Sequence, residues 1–224
     1  MHENMKHLAA LLLLSVTFGY AGSTLAFNGF VEAGIGRGSS DAKMSVMSDG
    51  VINNEGVTTD SGVWMIGLGA QFDNNIKLSL DYASLGSSKF DDLSWMQESE
   101  YISLGVSYNL AISDSILFNI KGGYGLWRAK LKQDVPTLNV VVNTQQYSTD
   151  DHGFSPTIGF SLSYIVNPNW EIGVRYDKYF RVGEKDTIYD DWYLKIGNFA
   201  EYLTPRSTAS YDIETLNAFV KYTF

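Results

Sequence analysis

The chain has 224 residues, a formal net charge of -9 and no cysteine. The absence of cysteine excludes a disulfide framework and a thiol nucleophile, and the negative charge makes nucleic acid a poor partner. With 21 Gly, 14 Tyr and only 4 Pro, and without an internal linker or low-complexity tract, the composition predicts one compact domain.

The chain begins with a pattern that is typical of a secretory signal. A short apolar run over residues 8–20 follows Lys6 and precedes the small residues of 23–26. We expect a cleaved signal peptide at residues 1–26 and a mature domain at residues 27–224. An uncleaved anchor helix is the alternative. No later segment reaches the roughly 18 to 20 consecutive apolar residues of a membrane helix, so any later membrane crossing must use strands.

Eight segments of the mature chain alternate apolar and polar residues with a period of two, which predicts strands with two different faces. They are residues 27–36, 63–72, 76–82, 102–110, 118–124, 158–164, 170–176 and 216–224. The connections alternate between a few residues and the long polar stretches 38–61, 86–99, 130–153 and 183–212. This pattern predicts an all-β fold, an eight-stranded antiparallel up-and-down transmembrane β-barrel with short periplasmic turns and long extracellular loops.

Ionisable residues of the predicted strands share one parity, which would place them inside the barrel. They are Glu32, Lys77, Asp81, Lys121, Glu171, Arg175, Asp177 and Lys221. Moving these charges to the lipid face would cost well over ~10 kcal/mol in total, so the two faces are well determined. We expect a salt-bridged polar plug, because an eight-stranded barrel is just wide enough for side chains to fill. Many small inward residues, such as Gly67 and Gly105, leave a narrow channel as the alternative.

Three basic residues lie at the outer ends of strands with a parity that points away from the lumen. Arg37, Arg128 and Lys178 would meet the headgroups of the outer leaflet. Arginine binds phosphates through charge-assisted bidentate hydrogen bonds. In an outer leaflet of lipopolysaccharide the headgroups carry phosphates, so these three positions are candidate contacts with lipopolysaccharide. Ordinary rim charge is the alternative.

The hypothesis of an enzyme depends on one short segment, residues 150–155. His2 and His7 lie in the leader, so His152 is the one histidine of the predicted mature chain. Asp150, His152 and Ser155 superficially suggest nucleophilic catalysis. His152 and Ser155 have opposite parity in a strand, however, which favours a solvated loop histidine. The acidic residues of the loops lack the regular spacing of a calcium site. We predict no enzyme activity, no cofactor and no metal.

Two long connections have features that favour binding to a partner. The segment 138–143 (Leu-Asn-Val-Val-Val-Asn) is rich in β-branched residues and predicts a protruding hairpin. Such a hairpin can accept another protein's strand at its open edge or can pack on the barrel mouth. The last long connection is rich in aromatic residues, which favours partner binding over mere solubility.

Three segments carry a resemblance to a known family: the terminal residues 220–224 (Val-Lys-Tyr-Thr-Phe), residues 122–127 (Gly-Gly-Tyr-Gly-Leu-Trp) and residues 171–176 (Glu-Ile-Gly-Val-Arg-Tyr). The mature chain resembles the small outer-membrane barrels related to the membrane domain of outer membrane protein A and to OmpX. The resemblance implies a location in the bacterial outer membrane. It also implies that Tyr222 and Phe224 form the targeting signal read by the barrel-assembly machinery.

Relatives of this kind include structural anchors, adhesins, invasins, colonisation factors and serum-resistance proteins. We therefore expect a monomer in contact with outer-membrane lipid and lipopolysaccharide, which displays its loops to host or surface partners for adhesion or colonisation. A narrow channel for small solutes and a lipid A modifying enzyme are the alternative functions.

Overall fold

The computed structural model describes residues 27–48, 51–90, 95–133, 148–188, 192–196, 199–203 and 206–224. It describes side chains at residues 27–40, 60–87, 98–130, 150–183 and 212–224. The signal peptide predicted at residues 1–26 lies outside the described residues. Across the described ranges, no helix is long and apolar enough to cross a membrane.

The described chain forms antiparallel strands that close into a barrel. The strands are β1 (Phe27–Ser48), β2 (Val51–Phe72), β3 (Ile76–Phe90), β4 (Trp95–Ser113), β5 (Ile116–Gln133), β6 (Ser148–Asn167), β7 (Trp170–Ile188), β8 (Trp192–Ile196), β9 (Phe199–Leu203) and β10 (Arg206–Thr223). The order around the barrel is β1-β10-β7-β6-β5-β4-β3-β2, and β8 and β9 form a separate two-stranded sheet. The predicted eight-stranded antiparallel barrel is confirmed.

One end of the barrel carries three tight turns, at residues 73–75, 114–115 and 168–169. Asn75 adopts a φ of 67°, which asparagine tolerates better than most residues. In the last turn, the side-chain oxygen of Asn167 accepts hydrogen bonds of 3.0 Å from the backbone nitrogens of Asn169 and Trp170. Phe224 N donates to Gly29 O at 2.9 Å, so both ends of the barrel chain meet here. We call this the turn end and the opposite one the distal end.

The strands are longer at the distal end than the sequence predicts. The stretch 38–61, which we expected to be a loop, is strand on both sides of residues 49–50, and Ser48 pairs with Val51. Much of the stretches 86–99 and 183–212 is strand as well. Period-two hydrophobicity ends where lipid no longer requires an apolar face, whereas backbone pairing continues. The hairpin predicted at residues 138–143 lies outside the described residues.

The outer surface of the barrel is apolar. Leu104 is 71 % exposed, whereas the neighbouring Ser103 is 3 % exposed, and this alternation continues along the strands. The exposed large hydrophobic residues define what we call the apolar belt: Ile35, Trp64, Leu78, Ile102, Leu104, Val106, Tyr108, Leu110, Ile112, Ile120, Tyr124, Leu126, Phe154, Ile158, Phe160, Leu162, Tyr164, Val166, Trp170, Ile172, Val174, Leu216, Val220 and Phe224. Such a band is the surface that a bilayer covers.

Candidate functional site

The eight charged residues with inward parity lie inside the barrel, where they form what we call the polar layer: Glu32, Lys77, Asp81, Lys121, Glu171, Arg175, Asp177 and Lys221. Arg175 pairs with both Glu32 and Asp177 at 2.7 Å. Lys121 pairs with Asp81 at 2.6 Å, and Lys221 pairs with Glu171. Opposite charges are therefore joined in pairs, within one strand, between adjacent strands or between strands separated by one other strand, as a buried charge requires.

Lys77 completes the polar layer through an aromatic ring. Its ammonium lies 5.8 Å from the centre of the Phe30 ring, and the Lys221 ammonium lies 5.6 Å from the same centre. Both distances are within the range of a cation–π contact. The space open to water beside Phe30 and Arg175 is about 20 Å³, which is room for about one water molecule. The lumen is thus nearly filled at this level.

A second layer, which we did not predict, fills the lumen between the polar layer and the distal end. This apolar layer consists of Met65, Ala83, Leu85, Tyr101, Trp127, Ala129, Tyr179, Val182 and Ile213, all 7 % exposed or less. The rings of Tyr101 and Tyr179 meet edge to face with centroids 4.8 Å apart. The Tyr101 hydroxyl donates a hydrogen bond of 2.6 Å to Ser155 O, which satisfies its polar end.

Small inward residues make room for these large side chains. A Cβ added at Gly125 would come within 2.7 Å of the Tyr101 ring, and one added at Gly153 would collide with the Trp127 indole. At Gly105 a Cβ would come within 2.5 Å of Lys121 Cε. The glycines that suggested a water-filled channel in the sequence therefore lie against side chains that occupy the same space.

The three predicted rim cations face outward but differ in their partners. Arg128 Nε donates to Asp150 Oδ1 at 2.7 Å, and its Nη2 donates to the other carboxylate oxygen. Lys178 contacts Glu214 at 2.9 Å and Asp212 at 3.6 Å. Arg37 is exposed and has no ion pair within the described part of the chain.

Carboxylates at this rim are held in the charged form. The hydrogen bonds from Arg128 lower the pKa of Asp150 below its ordinary value. The hydrogen bond from Lys178 lowers the pKa of Glu214 in the same way. Two of the three cations are thus already neutralised by protein carboxylates, whereas Arg37 remains available to an external anion.

The Asp150, His152 and Ser155 set does not assemble into a catalytic site. Ser155 faces the lumen and is 2 % exposed, whereas Asp150 and His152 are exposed on the outer face of the same strand. The hydroxyl and the imidazole therefore lie on opposite sides of the barrel wall. Among the described residues, no group of three His, Cys, Asp or Glu could hold a metal ion.

The barrel wall has two seams in its distal half. The β2–β3 ladder runs only from Trp64↔Ser84 to Gln71↔Lys77, and the β6–β7 ladder ends at Thr157↔Tyr179. Other ladders continue much further, as β1–β2 does up to Ser48↔Val51. Among the described residues, the ladders therefore divide the distal half into two four-stranded sheets, β2-β1-β10-β7 and β3-β4-β5-β6.

Local sequence explains where each seam begins. Gly86 adopts a φ of 83°, which turns β3 away from its ladder with β2. Pro156, next to the last β6–β7 pair, lacks the N–H that a ladder needs. Hydroxyl groups bridge the beginning of both seams, since Ser61 Oγ donates to Leu85 O at 3.1 Å and Thr157 Oγ1 donates to Lys178 O at 3.0 Å.

The terminal residues proposed as a targeting signal lie on the outside of the turn end. The ring of Tyr222 contacts the Phe224 ring edge to face at 5.3 Å between centroids, and it lies 4.9 Å from the Trp170 ring. This cluster occupies the edge of the apolar belt. Aromatic rings at this level are typical of a membrane interface.

A closed antiparallel barrel with an apolar exterior and a charged interior defines a transmembrane β-barrel protein. Residues 8–224 match the family model described as outer membrane protein beta-barrel domain, so the chain belongs to this family of outer-membrane barrels. No curated protein sequence matches the chain.

The chain is similar to several solved structures. Neisserial surface protein A is 14% identical and has a TM-score of 0.54, and the match covers 88% of this chain and 97% of that chain. Ail, the attachment invasion locus protein of Yersinia pestis, is 16% identical with a TM-score of 0.43 and coverage of 88% and 99%. The outer membrane protease OmpT from Escherichia coli is 12% identical with a TM-score of 0.48 and coverage of 90% and 99%.

Proposed function

We propose that this outer-membrane barrel is a surface protein that uses its membrane part as an anchor and its distal end to bind a partner outside the cell, in adhesion or colonisation. One observation carries the proposal. The lumen is filled by the polar and apolar layers, whereas the strands continue as paired sheet well beyond the apolar belt.

The filled lumen favours an anchor over a channel. A solute would have to pass both the ion pairs around Arg175 and the ring pair of Tyr101 and Tyr179. Separating buried ion pairs leaves uncompensated charge in a medium of low dielectric constant, which is costly. The same layers make the barrel a rigid support, and binding residues are commonly carried on segments that a rigid scaffold positions.

The distal extension is large enough to present a binding surface. From Gly36↔Val63 to Ser48↔Val51, β1 and β2 stay paired over twelve further residues of β1, or about 40 Å along the strand. β10 accompanies β1 as far as Met47↔Arg206. Such an extension serves no purpose in crossing a bilayer, for which strands of roughly 9 to 11 residues suffice.

Orientation follows from the family's usual arrangement, in which short turns lie on the periplasmic side. The turn end contains the three tight turns and both ends of the barrel chain. We therefore propose that the distal end is extracellular, where it can meet host cells or other surfaces.

Attachment of a displaying bacterium tests the proposal. A non-adherent bacterium would display the intact protein, a variant in which a short turn joins Gly38 to Ser61, a variant in which a short turn joins Lys132 to Ser148, or both changes together. Both junctions connect residues that already pair. Heat-dependent gel mobility verifies that each barrel folds.

We expect the intact protein to promote attachment to host cells or matrix proteins and the doubly shortened barrel to promote none. The single variants then show which of the two removed segments, 39–60 or 133–147, carries the attachment. Equal attachment by the intact and doubly shortened proteins overturns the proposal. Conductance in planar bilayers and the mass of lipid A then test the channel and the enzyme alternatives.

A further inference from the structure

One edge of the distal sheets is long and has no neighbouring strand. Residues 51–63 of β2 pair with β1 on one side. On the other side, the described part of the chain offers no ladder partner to β2 before Trp64. A strand edge of this kind presents a row of N–H and C=O groups to which another strand can bond.

Two hydrogen bonds determine which residues of β2 present these groups. Phe224 N donates to Gly29 O, which directs the odd-numbered residues of β1 towards β10 and the even-numbered ones towards β2. The unbroken β1–β2 register then directs odd-numbered residues of β2 towards β1. Even-numbered residues from Ile52 to Gly62 therefore present their N–H and C=O groups at the free edge. The bond from Asn75 N to Phe72 O, across the β2–β3 turn, agrees with this phase.

Three other strand edges at the seams carry features that oppose strand addition. In β6, the bond from Ile165 N to Ser115 O directs even-numbered residues away from β5, so Pro156 lacks its N–H at the open edge. In β3, Gly86 introduces an irregularity. In β7, Arg181 and Gly183 have positive φ angles beside two register shifts. Proline and bulges are common means of protecting an edge from unwanted pairing.

The β2 edge lacks this protection. Its register with β1 is unbroken, and its sequence from Val51 to Val63 contains no proline and no lysine. The segment carries Glu55 and Asp60 but no basic residue, in a chain with a net charge of -9. A partner strand with basic side chains would therefore be favoured, since opposite charges on neighbouring strands attract.

We propose that the β2 edge from Ile52 to Gly62 accepts an extended, positively charged segment of a partner protein as a fifth strand of the β2-β1-β10-β7 sheet. This inference rests on the proposed function, because the distal end must lie outside the cell to meet such a partner. Backbone hydrogen bonds provide the affinity, and alternate side chains provide the selectivity. A docked segment of ten residues would span about 33 Å of the edge.

A synthetic peptide tests the inference on the full-length protein in lipid nanodiscs. The probe is a fluorescent ten-residue peptide in which valine and lysine alternate, and its binding is measured by anisotropy. The control is the same peptide with N-methyl groups on alternate amides. Protein variants are Thr58→Pro, which removes an N–H of the free edge without removing one from the β1 ladder, and Thr58→Val, which keeps that N–H.

We expect the probe to bind the parent and the Thr58→Val variant equally. Its binding to the Thr58→Pro variant should be at least tenfold weaker. The N-methylated peptide should also bind the parent at least tenfold more weakly than the probe does. Amide exchange should slow at the even-numbered residues of the edge. Equal binding to the Thr58→Pro variant, or protection elsewhere, overturns the inference.

Two further outcomes overturn this inference without affecting the proposed function. One is dimerisation of the parent through β2 in the absence of peptide, which identifies a second copy as the occupant. The other is undiminished attachment of a bacterium that displays the Thr58→Pro variant. Loss of attachment in the doubly shortened barrel would still support a surface role in both cases.

Discussion

Lys121 and Asp81 form an ion pair of 2.6 Å inside the barrel, although they lie 40 positions apart on β5 and β3. The pair spans the inward face of β4 beside Gly105, whose missing side chain leaves space for the lysine. Asp81 also accepts a hydrogen bond of 2.7 Å from Ser79, and Arg175 lies 3.9 Å away. One carboxylate thus links charges from three strands.

Replacing Asp81 with asparagine should destabilise the barrel by roughly 3 to 5 kcal/mol, because the change preserves volume but leaves Lys121 buried without its partner. Urea unfolding in detergent micelles, followed by tryptophan fluorescence, measures the loss. Asp73→Asn in the first turn is the matched control, since Asp73 is exposed. Equal unfolding midpoints for the two variants would contradict a structural role of the pair.

Replacing Trp127 with alanine should also cost roughly 3 to 5 kcal/mol, because Trp127 is 3 % exposed and its loss leaves a cavity in the apolar layer. Trp64→Ala removes the same side chain from the outer face, where Trp64 is 46 % exposed, and should cost less. The same unfolding measurement distinguishes the two. A larger loss for Trp64→Ala would show that the apolar layer contributes little to stability.

The sequence indicates which residues form the polar layer, because the charged residues of the predicted strands all share one parity. Within the predicted strand segments, each Asp, Glu, Lys and Arg occupies an inward position. The cost of a charge in lipid makes this arrangement almost obligatory. Pairing could not be predicted, since which charges meet depends on the register, as for Lys121 and Asp81 on non-adjacent strands.

The apolar layer was not predicted from the sequence, because aromatic residues in such barrels usually lie at the membrane interface. Tyr101, Trp127 and Tyr179 have inward parity, and that was the available signal. Only the register shows that they reach the same level, where Tyr101 lies opposite Trp127. Strand length was underestimated for a different reason, since the distal strands have no lipid to impose a period of two.

The Arg128 and Asp150 pair should give Asp150 a distinctive titration. Hydrogen bonds from Arg128 lower the pKa of Asp150, so the stabilisation that this carboxylate contributes is present above its ordinary pKa and is lost as the pH falls through the lowered value. Carboxyl chemical shifts measured by NMR report the midpoint. Arg128→Gln should raise the midpoint. An unchanged midpoint would show that the pair does not persist in the membrane.

Binding of lipopolysaccharide should depend on Arg37 more than on the other two rim cations, Arg128 and Lys178. Arg128 and Lys178 already bind carboxylates of neighbouring strands, and a phosphate would have to displace them. Arg37 has no such competitor among the described residues. Its guanidinium can therefore bind a phosphate at no cost to an existing ion pair.

Thermal unfolding with and without purified lipopolysaccharide tests this order. We expect lipopolysaccharide to raise the Tm of the parent, Arg37→Ala to lose most of that rise, and Arg128→Ala to keep most of it. Arg37→Lys is the matched control for charge, and it should keep part of the rise because lysine binds phosphate as a point charge without the bidentate geometry. If all variants and the parent respond equally to lipopolysaccharide, the bound phosphates contact none of these cations, and the rim charges serve only the ion pairs between the strands.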